Sequence, residues 1–517
     1  MKLKSILICA FVALIGSSCK ESYFDINTNP NSLPTAQPNY VLTNALFKTA
    51  TNIAGNTDAG GSSEIGFYWA GQWSQGNGYI ISTTQFAYNF TNGDFNYWDS
   101  YYDNLNDYEF VISNADAYNQ KYLKGPAKVM KAMLYQQLVD MYGNIPYTDA
   151  LKSTASLAPK FDDQKAVYDN LIVLLDDAIK DLKANPFASA FAPSDIIFNG
   201  NVTKWAQFAN SLKLRILIRQ SKVAGKESFI TTEIGKIVTE GSGFITGEDV
   251  GIGGPSFYLA TAGKLNPVYD RWGYDANGAK RALNNYPRIS EFAVKTLKAS
   301  GDTLRLKRIG YANGGENANT PGVSVAKEVA ANYSGTPFGV SSGYLPANTV
   351  GLGPSLLVKG SYNRPYIIMQ ASEVQFLLAE AKQRYAAVAL PSTAKVYFEE
   401  GIKQSFRTLG AAATGADAYK GSKIVNYDWD ASTDKLTAIT IQKWISFINF
   451  NGLEAWAEYR RTNLPATPQS IQLKGESETK RPLRFFYPNT ESGSNGANVT
   501  AQGTIDVFST KLFWDVD

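Results

Sequence analysis

The chain has 517 residues, enough for two to four modules or one large helical body, and its 49 Lys plus Arg against 46 Asp plus Glu give a formal charge of +3. That near balance argues against nucleic acid, which needs a basic face to displace counterions. The absence of His removes the usual general base, the Ser/His and Cys/His nucleophile pairs and the commonest transition-metal ligand, and two Cys are too few for a thiolate zinc site or a disulfide framework.

Met1 to Lys4 form a short basic start, Ser5 to Ile15 an apolar run, and Gly16-Ser17-Ser18 a small-residue stretch before Cys19. The run is too short to span a bilayer, which takes about 20 residues, so residues 1–18 read as a secretory signal peptide. Small residues immediately before a Cys resemble a bacterial lipobox, with Gly16 where an aliphatic residue is usual. That resemblance implies cleavage before Cys19 and diacylation of its thiol, an anchor worth about 0.8 kcal/mol per buried methylene. Cys9 leaves with the signal, so no thiol remains for catalysis. Residues 19–38, rich in Asn and Pro, read as a lipidated tether, and no later apolar run is long enough to cross a membrane.

Helical periods dominate thereafter. Tyr40, Leu42, Leu46, Phe47 and Ala50 mark a first amphipathic segment, broken by a Gly-, Ser- and aromatic-rich loop over 55–97. A helix is predicted from Asp99 to Tyr118, and another from Ala127 to Tyr142, stopped by Gly143 and Pro146. Val167, Leu171, Leu174, Ala178 and Leu182 place a stripe on a helix over 164–184. Thr203 is the expected N-cap of a helix from Trp205 to Gln220, and 225–240 adds a short one. From 241 to 365 the pattern dissolves into Gly, Pro, Asn and Tyr, with one helix expected at 287–300. Ser372 and Gln375 have capping-box spacing, and helices over 393–410, 437–450 and 452–462 follow. The expectation is a mainly α fold. Four antiparallel pairs layered in the tetratricopeptide manner, at about 99–142, 164–220, 370–410 and 437–462, form one α-rich body. The irregular insertions at 55–97 and 241–365 form a second lobe, all within a single domain over 39–517.

The C-terminal run Gln442-Lys443-Trp444-Ile445, Asn451-Gly452-Leu453-Glu454-Ala455-Trp456-Ala457-Glu458-Tyr459-Arg460-Arg461-Thr462 and Arg484-Phe485-Phe486-Tyr487-Pro488 is similar to the closing signature of the SusD/RagB family. Trp98 to Ile112, Met141 to Tyr147, Lys204 to Arg219 and Glu373 to Ala381 agree with it, and the match is best with the SusD-like branch. The resemblance implies a nutrient-binding lipoprotein on the outer face of a Gram-negative outer membrane. It would cover a SusC-like TonB-dependent transporter and hand over oligosaccharides, or sometimes peptides. Within the signature, Trp444, Trp456 and Arg460 sit at helical spacing, so packing is expected, with Arg460 paired to a carboxylate such as Glu454 or Glu458.

A sugar ring needs flat aromatic platforms beside amides or carboxylates for its hydroxyls, and loop aromatics are the candidates because helical ones are consumed by the core. Two stretches fit. One holds Trp69, Trp73 and Tyr79 with Gln72, Gln75 and Asn77; the other holds Tyr269, Trp272 and Tyr274 with Asp270, Arg271 and Asp275. Two or three platforms would bind cargo with Kd of about 1 mM to 1 µM. Asp428, Asp430 and Asp434 offer oxygen ligands for Ca2+ but lack an EF-hand register, so turn chemistry is expected there and no cofactor. Two other functions suit the same sequence: a surface glycoside hydrolase, which needs only two carboxylates, and a helical-repeat adaptor for peptides or proteins.

Overall fold

The computed structural model describes residues 36–313, 329–473 and 480–516; the expected signal peptide, Cys19 and most of the tether lie outside them. In chain order the main helices are α1 (Pro38–Ala54), α2 (Ser62–Trp69), α3 (Trp98–Asn114), α4 (Lys124–Tyr142), α5 (Gln164–Ala184), α6 (Val202–Arg219), α7 (Glu227–Glu240), α8 (Glu291–Ala299), α9 (Thr303–Ile309), α10 (Ala371–Arg384), α11 (Ala394–Leu409), α12 (Ala413–Lys420), α13 (Lys435–Phe447) and α14 (Gly452–Thr462). Helices pack in succession: α3 on α4, α4 on α5, α5 on α6, and α10 on α11. This is the layered, mainly helical fold expected. The apolar stripe of α5 is buried at Val167, Leu171, Ala178 and Leu182, and the Asp163 carboxylate accepts the Lys165 and Ala166 N–H groups at its start.

Several details differ from the sequence reading, each for a local reason. Helix α6 is capped by Asn201, whose side-chain oxygen accepts from Lys204 N at 3.0 Å, and not by Thr203. Asn199 and Gly200, both with positive φ, turn the chain so that Asn201 is the last extended residue and Thr203 is already helical. The Ser372–Gln375 box is not made. The helix begins at Ala371, two residues earlier than the box implies, its Ala371 N–H donates to Asp249 at 2.9 Å, and the Ser372 hydroxyl is buried without a partner among the described residues. The helix expected over 287–300 is split: Pro287–Ile289 is extended, and the Ser290 hydroxyl then caps α8 by accepting from Ala293 N at 2.9 Å.

The loop expected over 55–97 contains α2, a four-residue helix at Thr83–Phe86 and a strand. Among the described residues, six strands of two to four residues organise the insertions: β1 (Trp73–Gln75), β2 (Val250–Ile252), β3 (Pro287–Ile289), β4 (Gly310–Tyr311), β5 (Gly351–Leu352) and β6 (Tyr366–Met369). Four form an antiparallel sheet in the order β1-β3-β5-β4, with Trp73 opposite Ile289 and Gln75 opposite Pro287. The other two pair with each other. Helix α14 layers most extensively on α2, not on the neighbouring α13. Gly66 and Gly452 allow their backbones to meet, and Gly452 N–H donates to the Ser63 hydroxyl at 2.8 Å.

The closing signature is a buried ion network. Arg461 donates to both oxygens of Glu380 at 2.8 Å, to Glu458 at 2.9 and 2.8 Å, and to the Ser221 hydroxyl at 2.8 Å, so its fork is fully used. Arg215 forks onto Glu373 at 2.6 and 3.0 Å, and Arg219 pairs with Glu454. Arg460 does not pair with Glu454 or Glu458, which α6, α13 and Arg461 have already claimed. Its guanidinium lies 3.5 Å above the Trp456 ring and donates to the carbonyls of Asp140 and Leu483 at 2.8 and 2.7 Å. Burial pulls its pKa down to about 9, outweighing the Asp140 and Asp515 charges that favour the cation.

Candidate functional site

The two aromatic stretches turn mostly inward. Trp69 ends α2 and is 3 % exposed. Tyr88, Phe90, Phe95, Trp456 and Phe485 surround its ring, and its Nε1 donates to Gln85 O at 3.0 Å. Trp73, 1 % exposed, stacks on Phe67 at 4.3 Å and donates to Asn449 Oδ1 at 2.9 Å. Gln72 is buried beside it and donates to Trp444 O at 3.0 Å. A π-helical turn over Tyr269–Gly273 drives Arg271 and Trp272 inward. Trp272 is 2 % exposed, with Tyr286 stacked at 6.2 Å and the Arg271 guanidinium 4.3 Å from its ring centre. Arg271 is itself held by Glu64 at 2.8 Å and by Asn56 O at 2.6 Å.

The expectation that Trp69, Trp73 and Trp272 are open platforms is therefore corrected; Gln72 is turned inward onto Trp444 O, and Arg271 is tied to Glu64 and Asn56. A lobe with so little regular structure recruits these rings as its core, because burying each indole outweighs leaving it in water. Tyr269 and Tyr274 pack against each other at 5.7 Å, and both are buried. Asp270 pairs with Arg281, and Asp275 accepts the Asn277 and Ala279 N–H groups at 2.9 and 2.8 Å.

What stays open is the tip of the first stretch. Beyond β1, Gln75 clamps the returning chain, donating to Ile80 O at 2.9 Å and accepting from Ser82 N at 3.1 Å. The clamp pushes Asn77, Tyr79 and Ile80 outward, and Ile80 is 94 % exposed. Tyr79 is half-buried: its ring meets Tyr286 edge-on at 5.2 Å, and its hydroxyl donates to Ala282 O at 2.8 Å. Asn77 N–H donates to Tyr344 O at 3.3 Å, which brings a third tyrosine to the same edge, and Leu345 beside it is exposed. Beneath lies Arg288 of β3. Its Nη2 donates to Asn285 Oδ1 at 3.1 Å, its buried Nε has no partner among the described residues, and burial pulls its pKa down to about 10. Tyr286, Arg288 and Tyr344 went unnoticed in the sequence because no local pattern links them to Tyr79; sheet pairing does.

Two larger openings adjoin this lobe. One, of about 440 Å³, ends on the Glu64–Arg271 pair; the other, of about 570 Å³, lies between the lobe and the ends of α11 and α13. Among the described residues no group of three His, Cys, Asp or Glu could hold a metal ion. Asp428 is occupied by the N–H groups of Lys423, Asp430 and Ala431, Asp430 by Lys395, and Asp434 by the start of α13. No helix among the described residues is long and apolar enough to cross a membrane.

The SusD-like_2 family, described as "Starch-binding associating with outer membrane", matches residues 30–488. No curated protein matches by sequence. Among solved structures, a SusD homolog from Bacteroides uniformis superposes with a TM-score of 0.73 at 24 % identity, covering 92 % of this chain and 100 % of that one. A SusD homolog from Bacteroides fragilis gives 0.72 at 21 % identity, with 93 % and 99 % covered. A chitin-binding SusD homolog from Flavobacterium johnsoniae gives 0.70 at 22 % identity, with 92 % and 99 % covered. With the family match spanning most of the sequence and the layered helices and loop lobe agreeing with it, this chain belongs to the SusD-like family.

Proposed function

We propose that the protein captures an oligosaccharide outside the cell and delivers it to a SusC-like TonB-dependent transporter, performing no chemistry on it. In this reading a lipid on Cys19 holds it to the outer membrane, and the cargo meets the Tyr79 edge. The observation that carries it is the pair of tyrosines, Tyr79 and Tyr286, fixed at 5.2 Å on the rim of the loop lobe with Asn77 and Tyr344 alongside. Hydroxyl-bearing rings supply an apolar face and a polar edge together, which is what a sugar presents. The outer-membrane association of the family and the chitin-binding relative support the same reading. Against hydrolysis, the acids beside the aromatic stretches, Asp270 and Asp275, are tied to Arg281 and to backbone N–H groups.

Titrating residues 20–517 with chito- and malto-oligosaccharides tests it. Binding in the millimolar-to-micromolar range is expected for at least one series, and Tyr79→Ala should weaken it about tenfold. Unchanged affinity in that variant would remove the site assignment, and release of reducing ends would remove the non-catalytic reading.

A further inference from the structure

The 570 Å³ cavity has the size of a small-ligand site, and its charges do not cancel. Lys204, Arg308, Arg364 and Arg407 face it, against Glu248 and Asp249. Both carboxylates are spent at the rim. Glu248 holds Lys204 at 2.8 Å; Asp249 holds Arg407 at 3.0 Å and also takes the Ala371 N–H and the Thr408 hydroxyl. Arg308 and Arg364 are left with no carboxylate among the described residues.

Both are nevertheless fastened. Arg308 Nε donates to Leu409 O at 2.8 Å, and Arg364 Nη1 donates to Pro354 O and Ser355 O, both at 2.9 Å. A guanidinium carries five donors in a rigid plane, so these contacts fix each fork and leave donors unspent. Burial, and after it the nearby Arg308 charge, hold Arg364 below the usual arginine range. The Ser355 hydroxyl, on a residue 8 % exposed, is buried in the same wall with no partner. The Tyr269 hydroxyl accepts Gly360 N–H at 3.0 Å and keeps its own proton to donate. Tyr269, Val268, Leu356 and Phe450 supply an apolar wall.

We propose that this cavity binds an acidic sugar, its carboxylate or sulfate held by Arg308 and Arg364 and its ring against the Tyr269–Leu356 wall, at a site separate from the Tyr79 edge. An oxyanion there would satisfy donors the fold leaves open and offset the repulsion between the two guanidinia, and charge-assisted bonds to arginine are the strong kind. A neutral sugar would do neither, so the site selects for charge.

Calorimetry on residues 20–517, which lack only the lipid-bearing Cys19 of the proposed mature chain, tests this with a glucuronate-terminated disaccharide, a 6-sulfated disaccharide, their neutral parent and inorganic sulfate. At least one acidic disaccharide should bind at least about tenfold more tightly than the neutral one, and which of the two binds identifies the anion. Arg308→Gln and Arg364→Gln should each cost about tenfold or more, with Tyr79→Ala leaving the affinity unchanged. Leu356→Trp, which fills the cavity while leaving both arginines in the chain, should also block binding, so a folding defect in an arginine variant does not leave the outcome open. Equal binding of the neutral sugar, inorganic sulfate binding as tightly as the sugar, no binding of either acid, or a loss in Tyr79→Ala would each overturn the proposal. The last result would leave the Tyr79 site standing, and a failure of Tyr79 to bind neutral glycans would not affect this one.

Discussion

Arg461→Met should lower the unfolding free energy by about 3–5 kcal/mol, read as a drop in the urea midpoint at pH 7. The side chain is fully buried, and its donors are divided among Glu380, Glu458 and Ser221. Methionine fills much of the volume but leaves two carboxylates in the core. Lys443, 2.6 Å from Glu458 and 3.4 Å from Glu380, is then the main compensating charge, with Arg384 reaching Glu380 at 2.8 Å from the helix edge. The loss reflects stranded charge and not the worth of the pair, since ion pairs replaced whole by apolar residues often cost nothing.

The same variant should change the acid limb of stability. Burial alone would raise the Glu458 carboxyl, but the Arg461 and Lys443 charges outweigh it and hold the group at about 2. A carboxyl depressed in the folded state contributes stability that is present above its unfolded value near 4.3 and is lost as pH falls towards 2. Without Arg461 that window should flatten, so the difference between parent and variant should shrink from pH 7 to pH 3. A constant difference across that range would mean that packing, not charge, accounts for the loss.

Gly452→Ala should cost about 3 kcal/mol or more, at the upper end of what overpacking a core does. A Cβ there would sit 2.0 Å from Ser63 O and 2.6 Å from Phe67 N, and both are backbone atoms of α2 that no rotamer change can move aside. The reciprocal Gly66→Ala would meet Gly452 backbone at 2.3 Å and should behave alike. Either change forces α2 and α14 apart and opens the cluster in which Trp69 meets Trp456 at 5.1 Å. Quenching of tryptophan fluorescence by acrylamide should rise along with the fall in thermal midpoint. A destabilised variant whose indoles stay shielded would place the strain elsewhere.

Helix α5 was legible to the residue because its apolar positions recur at three- and four-residue steps and an Asp stands at its cap. The caps of α6 and α10 were not, because the choice among competent side chains is made by a turn at Asn199–Gly200 and by Asp249, far away in sequence. Strands of two to four residues carry no readable period. The aromatic stretches mark the limit most clearly. Gly-flanked indoles look the same whether they await a sugar or a core, and for Trp73 the decision rests with Asn449, 376 positions further on. The fold class and family were in the sequence; the open tyrosine edge and the uncompensated arginines exist only after distant segments meet.

The stretch from Ser62 to Gln75 has its main partners in β3 and in the segment from Trp444 to Trp456. A nascent chain emerging from its amino end must therefore carry three incompletely covered tryptophans and tyrosines in this region, Tyr68, Trp69 and Trp73, until the last fifth of the sequence arrives. Fragments that stop short of α14 should fail to mature and should cling to chaperones instead.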